Sequence, residues 1–276
     1  MVQIEPIENS LLDTSEKNAV EKWHSLLTLQ TELFLPHEIC FLLQSQIWQD
    51  AISILDVGCG NGSYISHISK FFPDKFYTAI DHSSELILIA QKECAAHNLH
   101  FEQKALETFY PEKEFDLILM RLVVQHLNDF SSVLSQAKRL LKPGGKLLII
   151  EPDLNKYHNQ PATRLFDQML NDIELQSAQK NTNRHRLSSL GMIATETREW
   201  AIAQDELTTV PFVGPFERSK LLDLYHLWID VLDLSETLSS PLNNVREEIK
   251  NWSREPSAYS QVGIRFLMLE NKYGKH

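Results

Sequence analysis

Apolar runs and amphipathic stretches alternate along the chain from residue 52 onward. Residues 52–57 form the mostly apolar run ISILDV, a glycine cluster follows, and Ile65, Ile68 and Phe72 then recur at the spacing of one helical face. A short apolar run is typical of a buried strand, and clustered glycines favour a tight turn. The pattern therefore predicts a strand, a turn and a helix in that order.

The same alternation continues through residue 151. Mostly apolar runs at 76–80, 115–120 and 146–151 predict strands, and stretches with one apolar face, after Ser83 and over about 129–141, predict helices. The strand runs do not alternate with polar residues, so both faces of each strand are expected to be buried. A parallel sheet covered by helices has this property.

Helices are also predicted outside this regular region. Residues 16–49 contain two helical stretches, the second starting near Pro36 and both preceding the core. After Glu151 the pattern is less regular and predicts a helix at 161–179, a strand near 192–202, helices at 216–236 and 243–253, and a final strand near 261–269. Neither an internal repeat nor a low-complexity linker divides the chain, so one domain with an N-terminal cap is expected.

Composition narrows the possible partners. The chain has 276 residues, 43% of them hydrophobic, and can bury a large core. Its formal net charge of −11 opposes nucleic-acid binding, which depends on Lys and Arg. No nucleic-acid partner is therefore predicted. The densest basic cluster is more typical of a solvated helix end or loop: Lys180, Arg184, His185 and Arg186.

Membrane and metal sites are not predicted either. No run approaches the roughly 18 consecutive apolar residues of a membrane span, and the N-terminus is acidic instead of resembling a signal segment. We expect a cytoplasmic protein with no membrane partner. Cys40, Cys59 and Cys94 lack a CxxC pair or His partners at ligand spacing, so neither a disulfide framework nor a metal site is indicated.

The strongest chemical motif lies between residues 54 and 63. Asp56 closes the first predicted strand, and three glycines at alternate positions open the helix: Gly58, Gly60 and Gly62. Residues without a Cβ allow a ligand to approach the backbone closely, although a turn can use glycine for geometry alone. A dinucleotide fingerprint would place its third glycine where this chain has Ser63. Asp81 ends the next strand, where an acid accepts hydrogen bonds from ribose hydroxyls, and this second signal favours a nucleoside ligand.

Four segments together resemble the class I S-adenosylmethionine-dependent methyltransferase family. They are DVGCGNG (56–62), AIDHS (79–83), FDLILMRLVVQHL (115–127) and LKPGGKLLIIEPD (141–153), in the family's order and spacing. The resemblance implies an α/β fold with a doubly wound, Rossmann-like methyltransferase sheet, mostly parallel with an antiparallel C-terminal strand. It also implies S-adenosylmethionine as cofactor and S-adenosylhomocysteine as product.

The resemblance further implies how the chain is divided. An N-terminal helical cap would span 1–49, and the methyltransferase domain would span 50–276. Substrate-side helical insertions would lie at about 154–190 and 205–255.

The resemblance also assigns cofactor contacts to matching residues. Asp56 and the loop from Gly58 through Gly60 to Asn61 would hold the methionine end, and Asp81 would bind the ribose hydroxyls. The remaining positions would surround the adenine and the sulfonium, with His82 at the adenine face, Ala105 and Leu106 at its edge, and the Arg121 backbone beside the sulfonium. The family often has an Asp before the adenine-edge segment, where this chain has Gln103 and Lys104.

Catalysis of methyl transfer needs alignment and sometimes a base. An alcohol or a carbon acid would need one, whereas a phenol, carboxylate or unprotonated amine would not. His126 is the first candidate for a catalytic or orienting group, with a backbone-bonded histidine at a helix start as the equal alternative. His158 is the second candidate. Glu151 and Asp153 are more typical of turn acids than of metal ligands, so no metal is predicted.

The substrate is expected to contact residues from the flanking segments. The principal candidates are Gln125, His126, Glu151, Tyr157, Tyr225 and Trp228. Further candidates are Trp23, His24, Asp153, His158, Trp200, Phe212, Phe216 and His226. The stripe from Leu221 to Leu232 repeats at near-helical spacing, so a core-facing helix is the favoured alternative for its members.

We predict a methyltransferase acting on an O or N nucleophile of a small, partly apolar acceptor. The alternatives are a protein or peptide methyltransferase and a non-catalytic protein that binds S-adenosylmethionine, because fold alone does not establish turnover. A nicotinamide oxidoreductase would need a glycine in place of Ser63. The pattern predicts neither the acceptor's identity nor an oligomeric state.

Overall fold

A seven-stranded sheet runs through the part of the chain that the computed structural model describes, residues 14–127, 129–179, 189–234 and 242–272. The strands are β1 (Ser53–Val57), β2 (Phe76–Asp81), β3 (Leu99–Gln103), β4 (Phe115–Arg121), β5 (Leu141–Gln160), β6 (Trp200–Phe212) and β7 (Tyr259–Asn271). Their spatial order is β3-β2-β1-β4-β5-β7-β6. The predicted basic cluster at 180–186 lies outside the described residues.

The sheet confirms the predicted topology. β1 pairs in parallel with β2 and with β4, and further parallel pairs join β2 to β3 and β4 to β5. β7 runs antiparallel to both β5 and β6. The strand order reverses between β1 and β4, and ligands of such sheets bind beyond the carboxyl ends of the strands at this point. Asp56 is the last residue but one of β1, and Arg121 ends β4.

Helices cover the sheet. They are α1 (Thr14–Gln44), α2 (Gln46–Asp50), α3 (Ser63–Phe71), α4 (Ser84–Glu93), α5 (Phe130–Leu140), α6 (Arg164–Gln179), α7 (Leu190–Glu196), α8 (Pro215–Leu234) and α9 (Leu242–Arg254). Side-chain caps start two of the predicted helices: Ser83 accepts from the Leu86 N–H, and Asp129 accepts from the N–H groups of Ser131 and Ser132.

The N-terminal helices differ from the prediction. α1 continues through Pro36, and the break falls at Ser45, whose hydroxyl accepts from the Trp48 N–H and so caps α2. These helices also belong to the main core instead of preceding it. Leu42 and Trp48 are fully buried, and Phe41 stacks on Phe266 of β7 with ring centroids 4.1 Å apart.

One helix of the described residues has the length and composition of a membrane span. It is the stretch Asn18–Gln44 of α1, with a mean hydropathy of 1.2 over its most apolar window. This is weak evidence for a membrane, because a core helix of a globular protein meets the same criterion. The core contacts of Phe41 and Leu42 explain the apolar composition.

Two further elements were not predicted correctly. β3 was missed because its sequence, LHFEQ, alternates apolar and polar residues and lacks a continuous apolar run. The strand expected near 192–202 begins only at Trp200, because residues 190–196 form α7. Leu190 and Ala194 are four residues apart and both buried, which is a helical period.

Candidate functional site

The loop between β1 and α3 has the backbone that its glycines require. Gly58, Gly60 and Gly62 have φ values of 75°, 57° and 74°, in the left-handed region. The Gly58 N–H donates to the Ile80 carbonyl at 2.8 Å, which ties the loop to β2. A Cβ on Gly58 would lie 2.5 Å from Val123 Cγ2, so the glycine also permits close packing against the segment after β4.

Asp81 lies directly against this loop. Its Oδ2 accepts from the Gly60 N–H and its Oδ1 from the Ser83 N–H, both at 2.9 Å, and the residue is buried. The Lys104 N–H donates to the Asp81 carbonyl at 2.9 Å and so brings the segment of Ala105 and Leu106 next to the end of β2. The His82 side chain is 87% exposed, leaving its ring available at the rim.

Asp56 is a buried carboxyl at the end of β1. Burial raises its pKa to about 7 from the ordinary 3.8; the Arg121 charge partly opposes this shift and the Asp81 charge adds to it. A carboxylate in this position would be stabilised by an additional cation.

The Arg121 side chain forms a buried ion pair that sequence reasoning missed. Its Nε lies 3.0 Å from both carboxylate oxygens of Glu38 on α1, and its guanidinium stacks over the Tyr64 ring at 4.3 Å. Burial raises the pKa of Glu38, and the Arg121 charge opposes that shift. The sequence signal was Glu38 itself, an acid within the apolar stretch FLPHEICF at 34–41.

Asn61 joins α1 to the glycine loop. Its buried side-chain amide donates to Thr28 Oγ1 at 2.9 Å and to the His24 carbonyl at 3.1 Å. A Cβ on Gly60 would lie 2.7 Å from Leu27 Cδ1 of the same helix. The predicted cofactor residue Asn61 and the predicted substrate residue His24 therefore contact each other.

A turn after β4 forms the next part of the site. Leu122 has a left-handed φ of 58°, uncommon outside glycine, and residues Val124–His126 form a 3-10 turn. The buried Glu151 carboxylate accepts from the Val124 N–H at 2.7 Å and from the Gln125 N–H at 3.4 Å. Glu151 thus holds the backbone of the turn that presents Gln125 and His126.

An apolar pocket of about 410 Å³ adjoins this turn. Its polar lining residues are Gln30, Gln125, His126, Tyr157, Gln176 and Tyr225. Its other lining residues are Trp23, Leu26, Leu27, Phe34, Leu122, Pro152, Leu154, Phe166, Leu170, Ile173, Leu221, Leu224, Trp228, Val231, Leu232 and Val262. No Asp, Glu, Lys or Arg is among them, and five of the six principal substrate candidates are present.

A polar pocket of about 280 Å³ lies beside it. The two pockets share Leu154, Tyr157 and Leu170. The other residues lining the polar pocket are Asn155, His158, Asn159, Ala162, Asp167, Asn171 and Glu174. The two predicted histidines are thus divided, with His126 on the apolar pocket and His158 on the polar one.

The remaining aromatic candidates have other positions. Trp200 and Phe212 are buried in the core, and the Phe216 side chain is exposed. The apolar stripe on α8 contributes to the core and to the apolar pocket, because Leu221 and Tyr225 belong to the core and also line that pocket. Among the described residues, no group of three or more His, Cys, Asp or Glu side chains is arranged to hold a metal ion.

Comparison with known proteins identifies the family. The profile of the methyltransferase domain family matches residues 28–197, more than half of the chain. The chain therefore belongs to this family of enzymes, the class I S-adenosylmethionine-dependent methyltransferases, whose methyl donor is S-adenosylmethionine.

Individual relatives share only part of their length with this chain. It is 27% identical over 142 residues to a malonyl-[acyl-carrier protein] O-methyltransferase of Priestia megaterium, covering 51% of each protein. It is 30% identical over 117 residues to a trans-aconitate 2-methyltransferase of Azoarcus, covering 42% of this chain and 44% of the relative. The chain thus spans about half the length of the curated relatives it matches.

Among solved structures, one similar chain is an S-adenosylmethionine-dependent methyltransferase from Thiobacillus denitrificans in complex with S-adenosylhomocysteine. It is 16% identical with a TM-score of 0.47, and the match covers 80% of this chain and 85% of that one.

Proposed function

We propose that this chain transfers a methyl group from S-adenosylmethionine to an O or N nucleophile of a small, partly apolar acceptor held in the apolar pocket. The observation that carries this proposal is the lining of that pocket, which combines Gln, Tyr and His side chains with an otherwise apolar wall and includes no Asp, Glu, Lys or Arg. Its volume of about 410 Å³ is in the usual range for small-molecule sites.

The donor is proposed to bind at the carboxyl ends of β1, β2 and β4. A methionine ammonium would fit Asp56, because its positive charge would stabilise the ionised carboxylate that burial disfavours. The Asp81 carboxylate would accept from the ribose hydroxyls. The other proposed donor contacts are Gly58, Gly60, Asn61, His82, Ala105, Leu106 and the Arg121 backbone.

Donor and acceptor sites would adjoin each other. Leu27 lines the apolar pocket and packs against Gly60, and Leu122 lines the pocket directly after Arg121. The bound donor supplies an electrophilic methyl group on a sulfonium. The chain's own contribution would be to align the acceptor and to exclude water, which can account for much of the acceleration of such a displacement.

His126 is the better placed of the two proposed bases. It lines the apolar pocket one residue after Gln125, on the turn that follows β4, whereas His158 lines the polar pocket. We propose that His126 orients the nucleophile or takes its proton when the acceptor is an alcohol.

The acceptor is proposed to differ from those of the two named relatives. Malonyl and trans-aconitate acceptors both derive from carboxylic acids, and a bound carboxylate usually has an Arg or Lys partner. The apolar pocket has neither among its lining residues. A neutral apolar body is therefore the better fit.

Helices α1 and α8 would enclose the acceptor. Both contribute lining residues, and an ion pair between Lys220 and Glu32 at 2.9 Å joins them. Residues 1–13 of the predicted cap at 1–49 lie outside the described residues. We propose that α1 and α2 cover the acceptor site of a domain at 50–276 while packing into its core, and that the protein acts in the cytoplasm on a free small molecule.

The first test is calorimetric titration with S-adenosylhomocysteine beside NADH. Binding of the former alone is expected, and its absence would contradict the donor site. Transfer from labelled S-adenosylmethionine would then be measured with a panel of apolar phenols, alcohols and amines, with malonate as the charged comparison. Transfer to malonate alone would contradict the apolar acceptor.

A pair of variants on α8 makes the pocket assignment specific. Trp228→Ala removes a lining ring and is expected to raise the acceptor KM while the affinity for S-adenosylhomocysteine stays unchanged. Phe216→Ala removes an aromatic ring that is 68% exposed on the same helix, and should change neither quantity. Equal effects of the two variants would contradict the role of the pocket.

A further inference from the structure

The polar pocket is rich in hydrogen-bond acceptors. Asp167 and Glu174, both on α6, are its acidic lining residues, His158 is its basic one, and neither Lys nor Arg is among the residues that line it. The pocket therefore has an acidic lining, whereas no Asp, Glu, Lys or Arg lines its neighbour. An acidic lining alone does not define a binding site. The hydrogen-bond partners of the buried polar side chains in this pocket are therefore needed as further evidence.

Asn159 provides an independent sign of a ligand. The residue is only 3% exposed, lines the polar pocket, and donates from Nδ2 to Thr163 Oγ1 at 2.9 Å and to the Tyr157 hydroxyl. Its Oδ1 is buried without a hydrogen-bond partner among the described residues. Buried acceptors are normally paired, because losing hydration without replacement is unfavourable. A ligand that donates a hydrogen bond would satisfy this atom.

Asp167 favours a charged donor over a neutral one. Its carboxylate accepts from the Thr163 hydroxyl at 3.2 Å. Burial raises the pKa of Asp167, the hydrogen bond from Thr163 opposes this, Glu248 raises the pKa further, and His158 lowers it. His158 is the one basic group among these influences, and a bound cation would add to its stabilisation of the ionised carboxylate.

We propose that the polar pocket binds a cationic nitrogen group, an ammonium or a guanidinium, belonging to the methyl acceptor. The inference rests on the proposed function and extends it. Leu154, Tyr157 and Leu170 line both pockets, so the polar pocket is adjacent to the proposed acceptor site. The acceptor would place its apolar body in the apolar pocket and its cation among Asn159, Asp167 and Glu174.

The two pockets also assign different ends of the acceptor. His126 and Gln125 line the apolar pocket and not the polar one. The cation is therefore an anchor that sets specificity, and the methylated atom lies at the other end of the molecule.

The test compares three ligands that share one alkyl chain. Decylamine, decanol and decanoate are titrated calorimetrically into the full-length protein at neutral pH, with S-adenosylhomocysteine present. Decylammonium is expected to bind about tenfold more tightly than decanol, because it adds charge-assisted hydrogen bonds. Decanoate should bind most weakly, since it introduces a like charge.

Variants then test which residues cause the preference for decylammonium over decanol. Asp167→Asn combined with Glu174→Gln is expected to remove the advantage of decylammonium while the Kd for decanol stays unchanged. Asp172→Asn changes an acid on the same helix that does not line the pocket, and should retain the advantage. Unchanged binding of decanol and of S-adenosylhomocysteine reports that a variant is folded. If the double variant binds neither decanol nor S-adenosylhomocysteine, the single variant Glu174→Gln replaces it. This single variant should reduce the affinity advantage of decylammonium over decanol in part.

The outcomes separate this inference from the proposed function. Equal affinities for decylammonium and decanol, or tighter binding of decanoate, would overturn the cation site but leave the apolar acceptor in place. An advantage that persists in the double variant would also overturn it. Failure of both decanol and decylamine to bind would contradict the apolar acceptor pocket itself.

Discussion

Replacing Asp56 by Asn should stabilise the protein at alkaline pH while weakening donor binding. Asp56 is 3% exposed, and burial raises its pKa from 3.8 to about 7. An acid with a raised pKa in the folded state binds its proton more tightly there than in the unfolded chain. Its contribution to stability is therefore complete below about pH 3.8 and is lost as the pH rises through about 7. Asn cannot ionise and avoids this loss.

The size of the effect follows from the difference in pKa. About three pKa units at roughly 1.4 kcal/mol each amount to about 4 kcal/mol at pH values above the folded pKa. Between about pH 5 and about pH 8, the advantage of Asp56→Asn in the free energy of unfolding should grow by about 2–3 kcal/mol. Urea unfolding without donor at these two pH values measures this growth.

Asp116 supplies the control. Partial burial would raise its pKa, but hydrogen bonds from Lys142, from Ser53 and from the Ile52 N–H lower it to about 2. The stability that Asp116 contributes is thus present above its unfolded pKa and is lost only as the pH falls toward about 2. Asp116→Asn should therefore destabilise the protein by the same amount at both pH values.

The donor titration completes this test. At about pH 8 the Asp56→Asn variant should bind S-adenosylhomocysteine about tenfold or more weakly, because the ligand ammonium loses a charged hydrogen-bond partner. A stability difference that does not change with pH would refute the raised pKa. An unchanged Kd would refute the contact with the ammonium.

Three further predictions concern neighbouring residues. Glu38→Gln leaves the Arg121 guanidinium buried without its counter-charge and should lower the free energy of unfolding by about 3 kcal/mol. Lys220→Gln breaks a more exposed ion pair and should lower it by less than about 1 kcal/mol. Similar losses for the two variants in urea unfolding would contradict this prediction. Asp81→Asn should weaken S-adenosylhomocysteine binding by about tenfold in calorimetry, and an unchanged Kd would exclude the ribose contact. His126→Ala should lower turnover by about 10²-fold or more if it acts as a base, at unchanged donor affinity; a parallel loss of affinity would assign it to the donor site.

Local signals explain what was predictable from the sequence. β1 and β4 are short apolar runs, and their pattern depends only on residues adjacent in the chain. The helix starts at Ser83 and Asp129 depend on side chains that cap their own backbone within three residues. The glycine loop is equally local, because its left-handed backbone favours the residue type directly.

Contacts between distant segments explain which features could not be predicted from the sequence. Glu38 and Arg121 are 83 residues apart in sequence, and their pairing depends on α1 lying across the end of β4. The same applies to Asn61, whose bonds to α1 could not be read from the glycine motif.

The sequence by itself determined the strands β1, β2, β4 and β5 with the helices α3, α4 and α5 between them, the glycine loop, and the acids Asp56 and Asp81 near two strand ends, because these follow from propensity and spacing. The tertiary structure alone decided that α1 belongs to the core, that His126 and His158 line different pockets, and that an acidic lining adjoins an apolar one. These features arise from packing of segments far apart in sequence, and no local pattern records which side chains such packing brings together.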